Sequence, residues 1–85
     1  MKTHTHTIKA VEGLHARPAG LLVKLAGKCR SKITIHKDGE SVDARRIMAV
    51  LSLNIKQGEN VSFRVEGEDE DDTLLEIMHI CNEML

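Results

Sequence analysis

Aromatic side chains are nearly missing from this chain: its 85 residues include one phenylalanine, Phe63, and no tyrosine or tryptophan. The core must therefore be aliphatic, filled by Leu, Ile, Val, Met and Ala. An excess of charge of either sign is missing too. Twelve basic and 13 acidic residues leave a formal charge of −1. Binding to a phosphate backbone needs a basic surface, so nucleic acid is not an expected partner. No stretch approaches the length of a membrane span, and Met1-Lys2-Thr3-His4-Thr5-His6-Thr7 lacks the apolar run of a signal peptide. Two cysteines, Cys29 and Cys81, with no secretory signal, fit free thiols in a reducing cytoplasm, and no disulfide between them is expected. There is no linker, repeat or low-complexity tract. The length suits one domain, residues 1–85, with a single modest core and no room for a second catalytic unit.

What is present is regular patterning. Residues 2–8 read as a strand, with threonines at 3, 5 and 7 on one face and His4, His6 and Ile8 on the other. Residues 16–27 read as a helix whose apolar face is Ala19, Leu22, Val23 and Ala26. Gly27 and the Lys-Cys-Arg-Ser that follows end it. Residues 32–37 alternate again, with Ile33 and Ile35 on one face. Asp38-Gly39 is a hairpin signal, because both central residues of that turn need positive φ. Residues 40–43 return as a short strand. Ile47 to Leu53 predicts a helix of about two turns, closed by Asn54, which tolerates the left-handed conformation. Residues 60–66 form the last strand, with Val61, Phe63 and Val65 inward. Asp69 is placed to cap the final helix, and Glu70, Asp71 and Asp72 suit the positive end of its dipole. Leu74, Ile77, Met78, Cys81 and Met84 or Leu85 form that helix's buried stripe. The order is β-α-β-β-α-β-α. Each strand has one apolar face, so the helices should cover one side of the sheet and leave the other wet.

One segment carries chemistry. Gly13-Leu14-His15-Ala16-Arg17-Pro18-Ala19-Gly20 places a histidine and an arginine at the first turn of a helix, with Pro18 marking that turn. Unpaired N–H groups and the helix dipole make such an end electropositive, so an anion is stabilised there. A neutral imidazole is a good nucleophile toward phosphorus, and Arg17 adds a planar cation that pairs with phosphate oxygens. A lone histidine before a helix is more often a cap or a solvent-facing residue. The whole octapeptide goes further: it resembles the active-centre motif of HPr, the histidine-containing phosphocarrier of the bacterial phosphoenolpyruvate–sugar phosphotransferase system. The resemblance continues through Ile47-Met48-Ala49-Val50-Leu51-Ser52-Leu53, Gln57-Gly58 and Glu66-Gly67-Glu68-Asp69-Glu70, across nearly the whole chain at matching spacing.

The resemblance implies an α+β fold: an open-faced β-sandwich with a four-stranded antiparallel sheet in the order 1-4-2-3, covered on one face by three helices. It implies phosphorylation of His15 on Nδ1 by enzyme I, charged from phosphoenolpyruvate, and onward transfer to the A domain of an enzyme II sugar permease. The phosphate would be held by the backbone N–H groups of Ala16 and Arg17, and the Arg17 side chain would meet the phosphate or a partner's carboxylate. The docking surface for both partners would be Ala16, Gly20 and Lys24 on the first helix, with Ile47, Met48 and Leu51 on the second. From periodicity alone those last three read equally well as a core stripe. The chain is then a phosphocarrier rather than an enzyme in the strict sense, cytoplasmic, monomeric, with no cofactor of its own.

Departures from the family pattern matter as much. Arg46 stands where HPr proteins of low-GC Gram-positive bacteria have a kinase-regulated serine, so that control is not available at this position. This supports an alternative: an HPr-like paralogue dedicated to one permease or to regulation. A third reading, an interaction module in which phosphorylation no longer matters, is opposed by the retention of His15 and Arg17, since a related regulatory branch replaces that histidine. His4 and His6 share a strand face, and His-x-His can bind zinc or copper, but two ligands are too few for a closed site. His36 and His79 are remote in sequence, so no metal site is expected. His6 falls where the family buries an aliphatic residue and is expected to be partly covered and hydrogen-bonded. Cys29 is expected as a small core residue.

Overall fold

The computed structural model describes every residue from Met1 to Leu85. The chain runs β1 (Lys2–Thr7), α1 (Ala16–Lys28), β2 (Lys32–Lys37), β3 (Glu40–Asp43), α2 (Ile47–Ser52), β4 (Asn60–Glu66) and α3 (Glu70–Met84). Each element read from the sequence is there, with ends moved by a residue at most. The four strands form one antiparallel sheet in the order β1-β4-β2-β3. The fold is the open-faced α+β sandwich expected from the sequence.

Alternation decides which face is buried. His6 lies opposite Val61, and Ile35 opposite Phe63, so these side chains share the helix-covered face. Ile33, Ile35, Val61, Phe63 and Val65 are fully buried there. Burying an aliphatic or phenylalanine side chain contributes about 1.5–3 kcal/mol, so this inner face supplies much of the cohesion. The other face is polar. Thr5 and Ser62 share a hydroxyl–hydroxyl hydrogen bond of 2.9 Å, and the Thr7 hydroxyl donates to Asn60 Oδ1 at 2.6 Å.

The turns follow their residue types. Asp38 and Gly39 both have positive φ, 47° and 84°, and Asn54 closes α2 at φ 50°. α1 packs against both α2 and α3. Its buried face is accordingly wider than the expected stripe: Leu25 joins Ala19, Leu22 and Ala26, while Val23 is only half-buried. In α3 the fully buried residues are Thr73, Ile77 and Cys81, with Leu85 just beyond, and Leu74, Met78 and Met84 flank them half-buried.

Two expectations need correction. Cys29 lies at the edge of the core, half-buried, with its Sγ 3.2 Å from the Ser31 carbonyl. Asp69 precedes α3 but its carboxylate does not cap the helix. A capping residue needs an extended backbone, and Asp69 has φ −107° and ψ 29°. Its carboxylate turns to the α1–β2 junction instead, accepting from the Arg30 amide at 2.9 Å and from the Ser31 hydroxyl. Glu70 reaches back to the Gly67 amide at 3.3 Å.

Candidate functional site

Gly13 has φ +67°, and a Cβ there would run into the Ile55 carbonyl oxygen. The Leu14 amide donates to that same carbonyl at 2.9 Å, and the Leu14 side chain is buried. The loop before α1 is thereby fixed to the segment that follows α2. Close backbone approach and positive φ are both conditions that glycine meets without strain.

This clamp delivers His15 to the N-cap of α1 with an extended backbone, φ −94° and ψ −175°. Its carbonyl accepts the Ala19 amide at 3.0 Å. The ring does not cap the helix. Its Nδ1 lies 2.9 Å from the Gly13 carbonyl oxygen. A carbonyl only accepts, so in this contact Nδ1 is the donor and carries a proton. The sequence gives no sign of this contact, because it depends on the backbone direction at Gly13.

Behind the ring, the amides of Ala16 and Arg17 have no carbonyl a turn earlier within the helix. Pro18 has no N–H. The first turn of α1 holds no acidic residue. Arg17 is exposed and makes no ion pair. His15 and Arg17 line an open depression of about 470 Å³ with Ala10, Glu12, Glu83 and Met84. Glu83 and Met84 were not legible as neighbours of His15. They arrive because the Ala10 amide donates to the Leu85 carbonyl at 3.1 Å, which brings the end of α3 beside the loop.

The six residues expected on a docking surface divide. Ala16, Gly20 and Lys24 are all exposed on α1, and Leu21 beside them is also exposed. On α2, Met48 is 75% exposed and Ile47 36%. Leu51 is half-buried and packs on the core, next to the fully buried Val50. The α2 helix therefore has an inner face through Val50 and an outer one through Met48, with Leu51 between.

Arg46 is the N-cap of α2 and makes no side-chain cap. Its amide donates to the Asp43 carbonyl at 3.1 Å and its carbonyl accepts from Val50 at 3.0 Å. The neighbouring Arg45 binds Asp43 through its guanidinium at 2.8 Å and 3.2 Å and through its amide at 2.9 Å. Those side-chain and backbone hydrogen bonds hold the Asp43 carboxyl down at about 2.

His4 and His6 gain a neighbour that their sequence positions do not announce. Potential ligand atoms of His4, His6 and Cys81 all lie within 4.8 Å of one another. His6 is partly covered, as expected, but its Nε2 is buried without a hydrogen-bond partner. The expectation of a hydrogen-bonded ring is corrected on that point: its strand neighbours across the sheet are apolar and offer it nothing.

Residues 2–83 match a family model described as "PTS HPr component phosphorylation site". The chain is 44% identical over 64 residues to the phosphocarrier protein HPr of Borreliella burgdorferi, covering 75% of this chain and 74% of that one. It is 42% identical over 67 residues to the HPr-like protein Crh of Halalkalibacterium halodurans, covering 79% and 80%. Among solved structures, a histidine-containing phosphocarrier protein from Mycoplasma superposes with a TM-score of 0.91 at 32% identity, covering 96% of this chain and 93% of that one. Dimers of HPr and of Crh also superpose, each with a TM-score of 0.75.

Proposed function

The chain belongs to the HPr family of phosphocarriers, and from that premise we propose that it carries a phosphoryl group on His15 between phospho-enzyme I and the A domain of an enzyme II permease. The observation that carries this reading is the first turn of α1. The amides of Ala16 and Arg17 are without intrahelical acceptors there, Arg17 is unpaired, and no carboxylate of the turn competes for them. A phosphoryl group on the His15 ring meets two backbone donors, the positive end of a helix dipole and a guanidinium.

Transfer is a displacement at phosphorus. A lone pair on the His15 ring forms the P–N bond as the bond to the donor breaks, and that bond's electron pair stays with the donor. For Nδ1 to act, its proton must move and the ring must turn from the Gly13 carbonyl, which otherwise occupies that nitrogen at 2.9 Å. The proton then resides on Nε2. The product phosphoramidate keeps a high transfer potential, so the reverse displacement on a permease domain proceeds with little loss. The exposed Ala16, Gly20, Lys24, Ile47 and Met48, with the outer edge of Leu51, form the surface both partners meet. The protein works in the cytoplasm as a monomer. It is a substrate of its partners rather than an enzyme, and the phosphoryl group derives from phosphoenolpyruvate without a resident cofactor.

A second reading, an HPr-like paralogue serving one permease or a regulatory output, is favoured by Arg46. A hydroxyl at that N-cap could be phosphorylated and would place its charge at the start of α2. Arginine places a cation there and offers no acceptor for a kinase.

The test is incubation with phosphoenolpyruvate, magnesium and enzyme I, followed by intact mass, with His15→Ala as control. One acid-labile phosphoryl group, absent from a folded His15→Ala, is the expected result, and ¹⁵N chemical shifts of the ring report which nitrogen carries it. No transfer from an enzyme I competent toward another carrier overturns the reading.

A further inference from the structure

His4 and His6 are two residues apart on β1, so their side chains leave the same face of the strand. They lie opposite Phe63 and Val61 in the register with β4, and both of those are fully buried under the helices. The two imidazoles therefore sit in the layer between sheet and helices. Their ring centroids are 6.3 Å apart and the ring planes tilt by 32°. α3 packs over this end of β1 and brings down Cys81, which is 1% exposed. One strand and one helix, 75 residues apart in sequence, thus place two imidazoles and a thiol together. All three potential ligand atoms fall within 4.8 Å of one another.

Nothing within the protein uses this cluster. The Nε2 of His6 is buried with no hydrogen-bond partner, and Cys81 is a free thiol. Such a nitrogen is costly to the fold unless something meets it.

We propose that His4, His6 and Cys81 form a three-ligand site for zinc. The donor set is the argument for the metal: two imidazoles and a thiolate suit zinc, whereas magnesium and calcium take oxygen ligands. A tetrahedral zinc site, with bonds of about 2.0–2.1 Å to nitrogen and 2.3 Å to sulfur, sets its ligand atoms roughly 3.3–3.6 Å apart. The observed cluster closes to that size by side-chain movement on the order of 1 Å. The fourth position goes to water, for which a depression of about 320 Å³ bordered by His6, Cys81, Lys9, Asn82 and Glu83 lies beside the cluster. Cys81 is a free thiol and carries its proton before the metal arrives. Forming the zinc–sulfur bond breaks the S–H bond, and the proton passes to solvent. Each zinc bound through Cys81 releases that one proton.

The site stands apart from the His15 chemistry, so its test is a binding measurement that needs no phosphotransfer partner. Zinc is titrated calorimetrically into the metal-free protein in two buffers of different ionisation enthalpy, and cobalt(II) serves as the spectroscopic probe. The expected result is one zinc per chain, one proton released from Cys81, and a thiolate-to-cobalt charge-transfer band in the near ultraviolet. Saturating zinc raises the melting temperature, because the ion binds the folded chain. His6→Gln and Cys81→Ala should each weaken zinc at least ten-fold, while His36→Gln leaves it unchanged. Cys81 is buried, so its variant is read only if folded; His6→Gln and the cobalt band of the unaltered protein hold the proposal open to refutation without it. Absence of the charge-transfer band, or zinc binding that persists undiminished in His6→Gln, overturns it.

Discussion

The chain contains two long helices that begin in opposite electrostatic conditions. α3 starts among its own carboxylates: Glu70, Asp71 and Asp72 occupy its first turn. Glu70 accepts from the Gly67 amide at 3.3 Å and pairs with the Met1 amino group at 3.1 Å, while Asp69 holds the Arg30 amide and the Ser31 hydroxyl. α1 starts with none. Its first turn has no acid, its N-cap histidine turns away to Gly13, and Arg17 makes no ion pair. Both ends expose backbone donors at the positive end of a helix dipole, although Pro18 removes one of them from α1. One has its opposing charge within the chain, in carboxylates that also tie down neighbouring segments. The other is left for a charge that arrives from outside. The same helix-end physics thus serves stability at one end of the molecule and group transfer at the other.

The comparison breaks most sharply if α1 is given a carboxylate like α3's. Ala16→Asp should stabilise the helix by about 0.3–1 kcal/mol through the dipole. It should also slow phosphoryl acceptance by roughly 100-fold, because a fixed anion now repels the incoming group. Thermal melts and single-turnover phosphorylation, read together, check both halves. A variant that gains stability and keeps its rate removes the electrostatic account of the site.

The converse change concerns stability alone. The Arg30 amide and Ser31 hydroxyl hold the Asp69 carboxyl below its usual value. A group depressed in the folded state contributes above its unfolded pKa, near 4, and that contribution is lost as pH falls below it. Asp69→Asn should therefore melt lower at neutral pH and show an acid limb shallower by up to one proton, while phosphoryl acceptance stays as before. Denaturant unfolding across pH 2–7 measures this, and an unchanged acid limb refutes it.

The smallest effect is expected away from both helix starts. Met48→Glu puts a charge on the most exposed apolar side chain of α2 and should weaken binding of enzyme I or an enzyme II A domain by about ten-fold. NMR titrations that overlay those of the unaltered protein would show that the contact surface does not include Met48.

Local chemistry explains what could be read in advance. Threonine alternation marked β1, Asp38-Gly39 marked the hairpin and Asn54 the end of α2, because each depends on a few adjacent residues. Phe63 and its neighbours on β4 declared their face by period two. The misses all involve distant partners or backbone direction. Asp69 carries a capping residue's side chain but not its backbone angles. Leu25 is buried because α1 is flanked by helices on both sides, which its own periodicity cannot report. A six-residue helix is too short for its pattern to separate Met48 from Leu51. Within the site, His15 and Arg17 were plain, whereas the tie of Nδ1 to Gly13 and the nearness of Glu83 follow from loop and terminus placement. Cys81 beside His4 and His6 needs the whole fold.

The sheet order has a consequence for how this chain comes to exist. β1 and β2 do not touch; each pairs with β4. Until a ribosome has made residues 60–66, β1 has no neighbour at all and β2 can form only its hairpin with β3. Every pairing of β1 spans more than fifty residues, and closing such a span carries an entropic penalty before any contact repays it. Before β4 is made, the nascent polypeptide can therefore form no part of its sheet beyond the β2–β3 hairpin. It then acquires its sheet in one late step, when the central strand emerges and joins the two halves.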